Sequence, residues 1–286
     1  MGVLLMILSG ICFSFTGVWT ALVSDYSINS LMLTIIRLSS ACVAMGIFLV
    51  IKKENFKMTS KQLKASLFYG SMGTSITIWL ISLAVTEMSV GSTSLCHYAY
   101  PIIVTIAGII LYREKVSTSV CLASALMVIG LILSNTGGSM NFFGTILAVA
   151  SAFTFAIYVF GQAHSAMTQV GPFKLFFYNS LFGVLTAIVI ALFSEQLIIV
   201  RIPQVYLCMI AGGIITDLLG TIFMTLGIRK LGATKAAFLS ILEPALSNIW
   251  DVILFQANLT MPSIVGMIMI FIAFLTMAYQ PSKISK

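Results

Sequence analysis

The sequence predicts an all-α integral membrane protein with ten transmembrane helices, and three observations carry that prediction. Of its 286 residues, 59% are hydrophobic and only 8% are charged, and the mean hydropathy of +1.09 lies far above soluble values. Apolar runs of about 20 residues, the length a helix needs to cross the hydrocarbon core, recur along the whole chain between short polar breaks. The runs are continuously apolar, whereas a barrel strand would alternate apolar and polar residues over about ten positions.

In the first half the spans fall near 2–22, 30–51, 65–86, 89–111 and 117–135; in the second they fall near 144–163, 172–193, 204–228, 232–255 and 262–279. The first is a true span and not a secretory signal, because no Lys or Arg precedes it and no small-residue cleavage pattern follows in SDYSINS. With the amino terminus inside, 13 of the 15 basic residues lie on the cytoplasmic side: Lys52, Lys53, Lys57, Lys61, Lys64, Arg113, Lys115, Lys174, Arg229, Lys230, Lys235, Lys283 and Lys286. Arg201 falls outside and Arg37 within a span. Both termini are therefore expected in the cytoplasm. Topology and attraction to anionic headgroups account for the net charge of +7 without nucleic acid. The five cysteines, Cys12, Cys42, Cys96, Cys121 and Cys208, sit singly within spans and are read as packing residues, with no disulfide or metal framework.

Shifting the chain by 142 or 143 positions superimposes Gly2 on Gly144, Arg37 on Asn179, Gly70 on Gly213 and Pro101 on Pro244. After the two prolines, IIVTIAGIILYREKVS aligns without a gap to ALSNIWDVILFQANLT. The chain is thus expected to consist of two five-helix units, 1–140 and 141–286. Because five is odd, the second enters the membrane from the opposite side, giving two inverted-topology repeats. Such repeats build alternating-access carriers, whose substrate sites lie near midplane at the repeat interface.

Three further stretches carry a resemblance to a known family. GTILAVASAFTFAIYVF resembles the opening of a repeat of the EamA family of the drug/metabolite transporter superfamily, YAYPIIVTIAGIILYREKVS its fourth helix and exit, and LGATKAAFLSILEPALSNI its ninth helix. The resemblance implies ten helices around a central cavity lined by spans 1, 3, 4, 6, 8 and 9, and secondary transport, usually export, of amino acids or other small metabolites. The family's glycine and acid late in the fourth helix match Gly108 and Glu114, while the second half carries Asp251 and the neutral pair Gln256 and Ala257 instead.

At a rise of about 1.5 Å per residue, span 8 reaches midplane near Asp217 and span 9 near Glu243, which places the two carboxyls at similar depth. Ser240, Glu243, Ser247 and Asp251, spaced 3, 4 and 4 apart, share one helical face. A charge facing lipid costs at least a few kcal/mol, so this face is expected to look into the cavity. Pro244, like Pro101, removes a backbone bond and breaks its helix, freeing a carbonyl that a cavity can satisfy. A carboxyl withdrawn from water can hold and release a proton, which makes proton coupling the expected role of Asp217 and Glu243. Pairing with a substrate ammonium and a neutral hydrogen bond across helices are the alternatives. Asp251 lies nearer the outer surface, at the depth of Arg37, and a pair between them is one option. Thr93, His97 and Tyr100 line up along span 4 and Ser151, Tyr158 and Gln162 along span 6, a mixed wall whose rings suit an ammonium or amphipathic substrate. His164 is read as solvated at the end of span 6. Gly70 with Gly73, and Gly212 with Gly213, are read as close helix contacts.

No loop is long enough for a nucleotide-binding domain and no G-x-x-x-x-G-K-[ST] occurs, which excludes a primary pump. No filter loop marks a channel, and the absence of H-E-x-x-H and G-x-S-x-G leaves an intramembrane enzyme as a remote alternative. The sequence reads as a secondary transporter of amino acids or related amines, without cofactor or metal. It is expected to act as a proton-coupled exporter in a bacterial plasma membrane. Multidrug or organic-cation efflux and metabolite uptake are the alternatives.

Overall fold

The computed structural model describes residues 1–23, 26, 28–114, 117–135, 139–194, 202–256, 258 and 260–279. Lys115, Arg201, Ala257, Lys283 and Lys286, which enter the sequence argument, lie outside the described residues. Among the described residues the secondary structure is helical, with no strand. Nine helical stretches are long and apolar enough to cross a membrane, and a shorter apolar helix of 17 residues, α8, occupies the place of the fifth expected span.

Span 1 consists of α1 (Gly2–Ser14) and α2 (Thr16–Ala21), span 2 of α3 (Ser30–Ile51), and span 3 of α4 (Ser60–Ser71), a π-helical segment (Met72–Ile76) and α5 (Thr77–Glu87). Span 4 is divided into α6 (Val90–His97) and α7 (Tyr100–Tyr112), and span 5 is α8 (Thr118–Ser134). Spans 6 and 7 are α9 (Phe142–His164) and α10 (Pro172–Phe193). Span 8 joins α11 (Pro203–Gly212), a π segment (Gly213–Gly220) and α12 (Thr221–Leu231); span 9 joins α13 (Ala233–Leu239) and α14 (Leu242–Phe255); span 10 is α15 (Met261–Ala278). Polar caps set many of the starts, because the first backbone N–H groups of a helix have no partner within it. Asn29, Ser89, Asn141 and Thr260 accept such bonds, and Thr59 with Gln62 forms a reciprocal capping box. That box starts span 3 at Ser60, ahead of the expected 65, so its first turn carries Lys61 and Lys64 beyond the apolar run. The exterior is apolar, as lipid contact requires: Val43, Ile47, Ile110, Leu185, Leu207 and Ile253 are all exposed.

Contacts between the halves come in matched pairs at the repeat offset. Along the antiparallel seam of spans 1 and 8, Gly2 meets Leu231, Gly227 meets Met6, Gly220 meets Cys12 and Gly212 meets Trp19. Along the seam of spans 6 and 3 the equivalent positions meet: Gly144 with Met88, Ala84 with Ala148, Thr77 with Thr154 and Gly161 with Tyr69. Gly70 packs on Asn179, and at the equivalent place Gly213 packs on the Arg37 carbonyl. The glycines read as close contacts are thus close contacts, and two of them, Gly70 and Gly213, meet backbone. Spans 5 and 10 cross at Gly130 and Gly266, where a Cβ at Gly266 would stand 2.5 Å from the Gly130 carbonyl oxygen. All five cysteines are free.

Gly266→Leu forces the α8–α15 crossing apart and is expected to cost about 1–3 kcal/mol, as overpacking does, lowering the thermal midpoint in detergent. Gly17→Ala, with no atom within 4 Å of the added Cβ, is expected to leave that midpoint unchanged or raise it slightly.

Candidate functional site

The centre of the bundle is built around two helix breaks. Proline lacks an N–H and its ring crowds the carbonyl four residues earlier; for Pro101 that residue is His97, and for Pro244 it is Ser240. Accordingly α6 ends at His97 and α7 begins at Tyr100, while α13 ends at Leu239 and α14 begins at Leu242. The prolines themselves sit within the first turns of the following helices, where a missing N–H is tolerated. Short-range bonds bridge the gaps, from Glu243 N to Ser240 O at 3.1 Å and from Ile102 N and Ile103 N to Ala99 O at 3.0 and 3.2 Å.

The side chains at these breaks converge. The Tyr100 hydroxyl is hydrogen-bonded to Ser240 Oγ, which also donates to Ala237 O at 2.7 Å. The Tyr98 side chain lies beside the Glu243 carboxyl. His97 Nδ1 lies 2.9 Å from Ser151 Oγ on α9. Rings surround the imidazole, with Tyr100 and Phe155 centroids at 5.6 and 5.5 Å and Tyr98 at 5.8 Å. Tyr98, Tyr100 and Tyr158 are buried, yet His97, Phe155 and Glu243 keep part of their surface open although they stand near the middle of their spans. Among the described residues no cation pairs with Glu243. Three described basic residues of the spans are engaged elsewhere: Arg37 with Asp217, Arg229 with the carbonyls of Met167 and Val170, and Lys235 with Ala278 O.

Asp217 belongs to a second cluster. Arg37 Nε donates to Asp217 Oδ2 at 2.9 Å and Arg37 Nη2 to Oδ1 at 3.0 Å, with only 11% and 14% of the two side chains exposed. This bidentate pair joins α3 to the π segment of span 8, which the missing side chain of Gly213 lets approach. The alternative partner considered for Arg37 was Asp251; the structure gives it Asp217, because α3 packs against the π segment of span 8. Asp251, half-buried on α14, has no side-chain hydrogen bond or ion pair among the described residues. Sequence depth put the two central acids together, but each has its own partner.

Ser247 and its neighbour meet span 1 and do not stand free. Ser247 Oγ lies 3.2 Å from Ser14 O and 3.1 Å from Glu243 O, and Trp250 Nε1 donates to Ser14 Oγ at 2.8 Å while its ring stacks on Phe15 at 4.6 Å. Tyr158 packs over Gly73, close to Asn179. Of the wall residues, Thr93 bonds Ser89 O and Gln162 accepts from Thr225 at 2.7 Å. His164, expected to be solvated, is packed between Phe160 and Tyr112 at 4.3 and 4.2 Å, because the end of α9 lies against α7. Sequence reasoning passed over Tyr98, Phe155 and Trp250. Tyr98 carried the one usable signal, its place three residues before Pro101. Among the described residues no three of His, Cys, Asp and Glu gather as a metal site would need. Two grooves open on the apolar exterior, of about 530 Å³ beside Val43 and Ile214 and about 260 Å³ beside Trp79 and Phe193; neither touches the central cluster.

Fold and site together define a polytopic helical membrane protein with a polar, aromatic centre. The model of the EamA-like transporter family matches residues 1–136 and 142–279, and the chain belongs to that family. It is similar to a protein of Archaeoglobus fulgidus described as an uncharacterized transporter, with 27% identity over 187 residues. That match spans 65% of this chain and 66% of the relative, just under two thirds of its length. A solved structure titled "Crystal structure of protein" superimposes with a TM-score of 0.81 at 15% identity, covering 96% of this chain and 95% of that one, which shows a shared fold.

Removing one partner of a buried ion pair strands the other charge, at about 3–5 kcal/mol. Arg37→Ala is therefore expected to lower thermal stability in detergent by an amount of that order, and the paired change Arg37→Met with Asp217→Asn to recover most of it.

Proposed function

We propose that this protein is a secondary transporter that moves small metabolites bearing an ammonium group, amino acids or related amines, by alternating access with proton exchange at Glu243. The observation that carries the reading is a lone carboxyl at the meeting point of two broken helices, partly open, beside Tyr98 and Tyr100, whose rings pack with His97 and Phe155, and without a basic partner among the described residues. A carboxylate with aromatic faces suits an ammonium group, and irregular backbone at membrane depth is tolerated where it lines a polar path. The matched seams support two inverted five-helix units, 1–140 and 141–286, the distribution of basic residues supports cytoplasmic termini, and the family resemblance supports export across a bacterial plasma membrane. Asp217, clamped by Arg37, serves in this account as a brace between spans 2 and 8. The absence, among the described residues, of a cation paired with Glu243 to receive a substrate carboxylate favours organic cations as the second reading.

A charge-assisted hydrogen bond is worth about 1.5–3 kcal/mol, so Glu243→Gln is expected to lower substrate affinity roughly ten- to hundredfold. Untargeted metabolite profiling of a bacterial host overproducing wild type or Glu243→Gln at matched membrane levels is the check. A few amines or amino acids should accumulate in the medium with wild type only; identical profiles would contradict the role of Glu243.

A further inference from the structure

The offset that superimposes Pro101 on Pro244 also places Tyr100 on Glu243 and His97 on Ser240. The two halves therefore carry different chemistry at equivalent points of the same break. In this structure the Tyr100 hydroxyl at the first break is hydrogen-bonded to Ser240 at the second. The equivalent of this bond with the halves exchanged is a contact between Glu243 and His97. Elsewhere such contacts coexist, as at Gly212 with Trp19 and Gly161 with Tyr69. At the breaks only one of the two is made: His97 bonds Ser151, and Glu243 lies beside Tyr98.

We propose that His97 and Glu243 pair directly in the opposite-facing state of the carrier, replacing the Tyr100–Ser240 join; the inference rests on the alternating-access reading above. Two similar halves that exchange conformations must exchange the contacts that differ between them. The residues are placed for it. Both lie beside the Tyr98 side chain. His97 Nε2 has no hydrogen bond among the described residues, Nδ1 being the atom bonded to Ser151. The groups facing the pair are Tyr98 and Tyr100 from span 4, Ser151 and Phe155 from span 6, Ser240 from span 9 and Gly10 from span 1, so among the described residues no second charge competes for the carboxyl. The pair gives Glu243 a partner whenever Tyr98 releases it, and a substrate ammonium would have to displace His97 to bind.

The test uses the full chain in proteoliposomes, with the five native cysteines replaced and cysteine pairs placed at 97 with 243 or at 100 with 240. A short bis-thiosulfonate reagent is applied under pH gradients imposed in either direction. Both pairs should cross-link, with yields that move in opposite directions as the gradient is reversed. A 97–243 pair that never links while 100–240 links fully, or yields that do not respond reciprocally, would overturn the pairing. Cysteines at these positions remove the native groups, so a double-mutant cycle supplies a second readout: His97→Ala should slow transport at least severalfold in wild type and change nothing further in Glu243→Gln. Additive losses would also refute it. If the unmutated protein moves no amine or amino acid in the same vesicles, the transport reading fails; if it does and the pair is not found, the pairing alone fails.

Discussion

Hydrocarbon offers no hydrogen bonds to an exposed peptide group, and this constraint governs the rest of the structure. A chain that breaks four-residue helical bonding within the membrane must shelter the freed groups inside its own bundle. Here the two breaks, before Pro101 and before Pro244, and the two π segments, at Met72–Ile76 and Gly213–Gly220, all stand at matched positions of the two halves. So do Arg113 and Gln256, both in the left-handed region at the ends of α7 and α14, with φ of 52° and 54°. The small residues on the seams let the neighbouring spans come close enough to cover these irregular stretches. The polar centre is therefore a consequence of the packing of spans 1 with 8 and 3 with 6.

The two halves share a backbone plan but not its chemistry. Where the second seam places Tyr69 of span 3 over Gly161 of span 6, the first places Trp19 of span 1 over Gly212 of span 8, so the large ring moves to the other helix. The Arg37–Asp217 pair has as its counterparts Asn179 and Thr74, which carry no charge. Glu243 stands where the first half has Tyr100. Both central acids thus lie in the second half, and one acid is neutralised by an arginine of the first while the other faces rings. On the alternating-access reading proposed above, equal scaffolds with unequal side chains supply two packings that a ligand can tell apart.

Much of this was legible in the chain. The apolar runs announce themselves because a bilayer demands about 20 residues per crossing, and the internal offset stands out because Pro101 and Pro244 keep their spacing to Gly70 and Gly213. Partner choice was not legible. Depth along a helix put Arg37 level with Asp251, but which side chains meet depends on which helices touch, and Gly213 settles that by admitting α3 to the π segment. The π segments leave no pattern in an apolar run. His164 looked solvated because it ends a span, whereas the end of α9 is covered by α7. Tyr98 escaped notice since the break precedes the proline, and a search for chemistry around the proline itself misses the residues that cap the broken turn.

The claim on which the account stands is that the carboxyl at position 243 lies on a path open in turn to both sides of the membrane. Placing a cysteine there, in a background without other cysteines, and labelling oriented vesicles with a membrane-impermeant thiol reagent from each side tests it most directly. The account predicts reaction from either side. Reaction from one side only, or from neither while cysteines in the loops react, would contradict it.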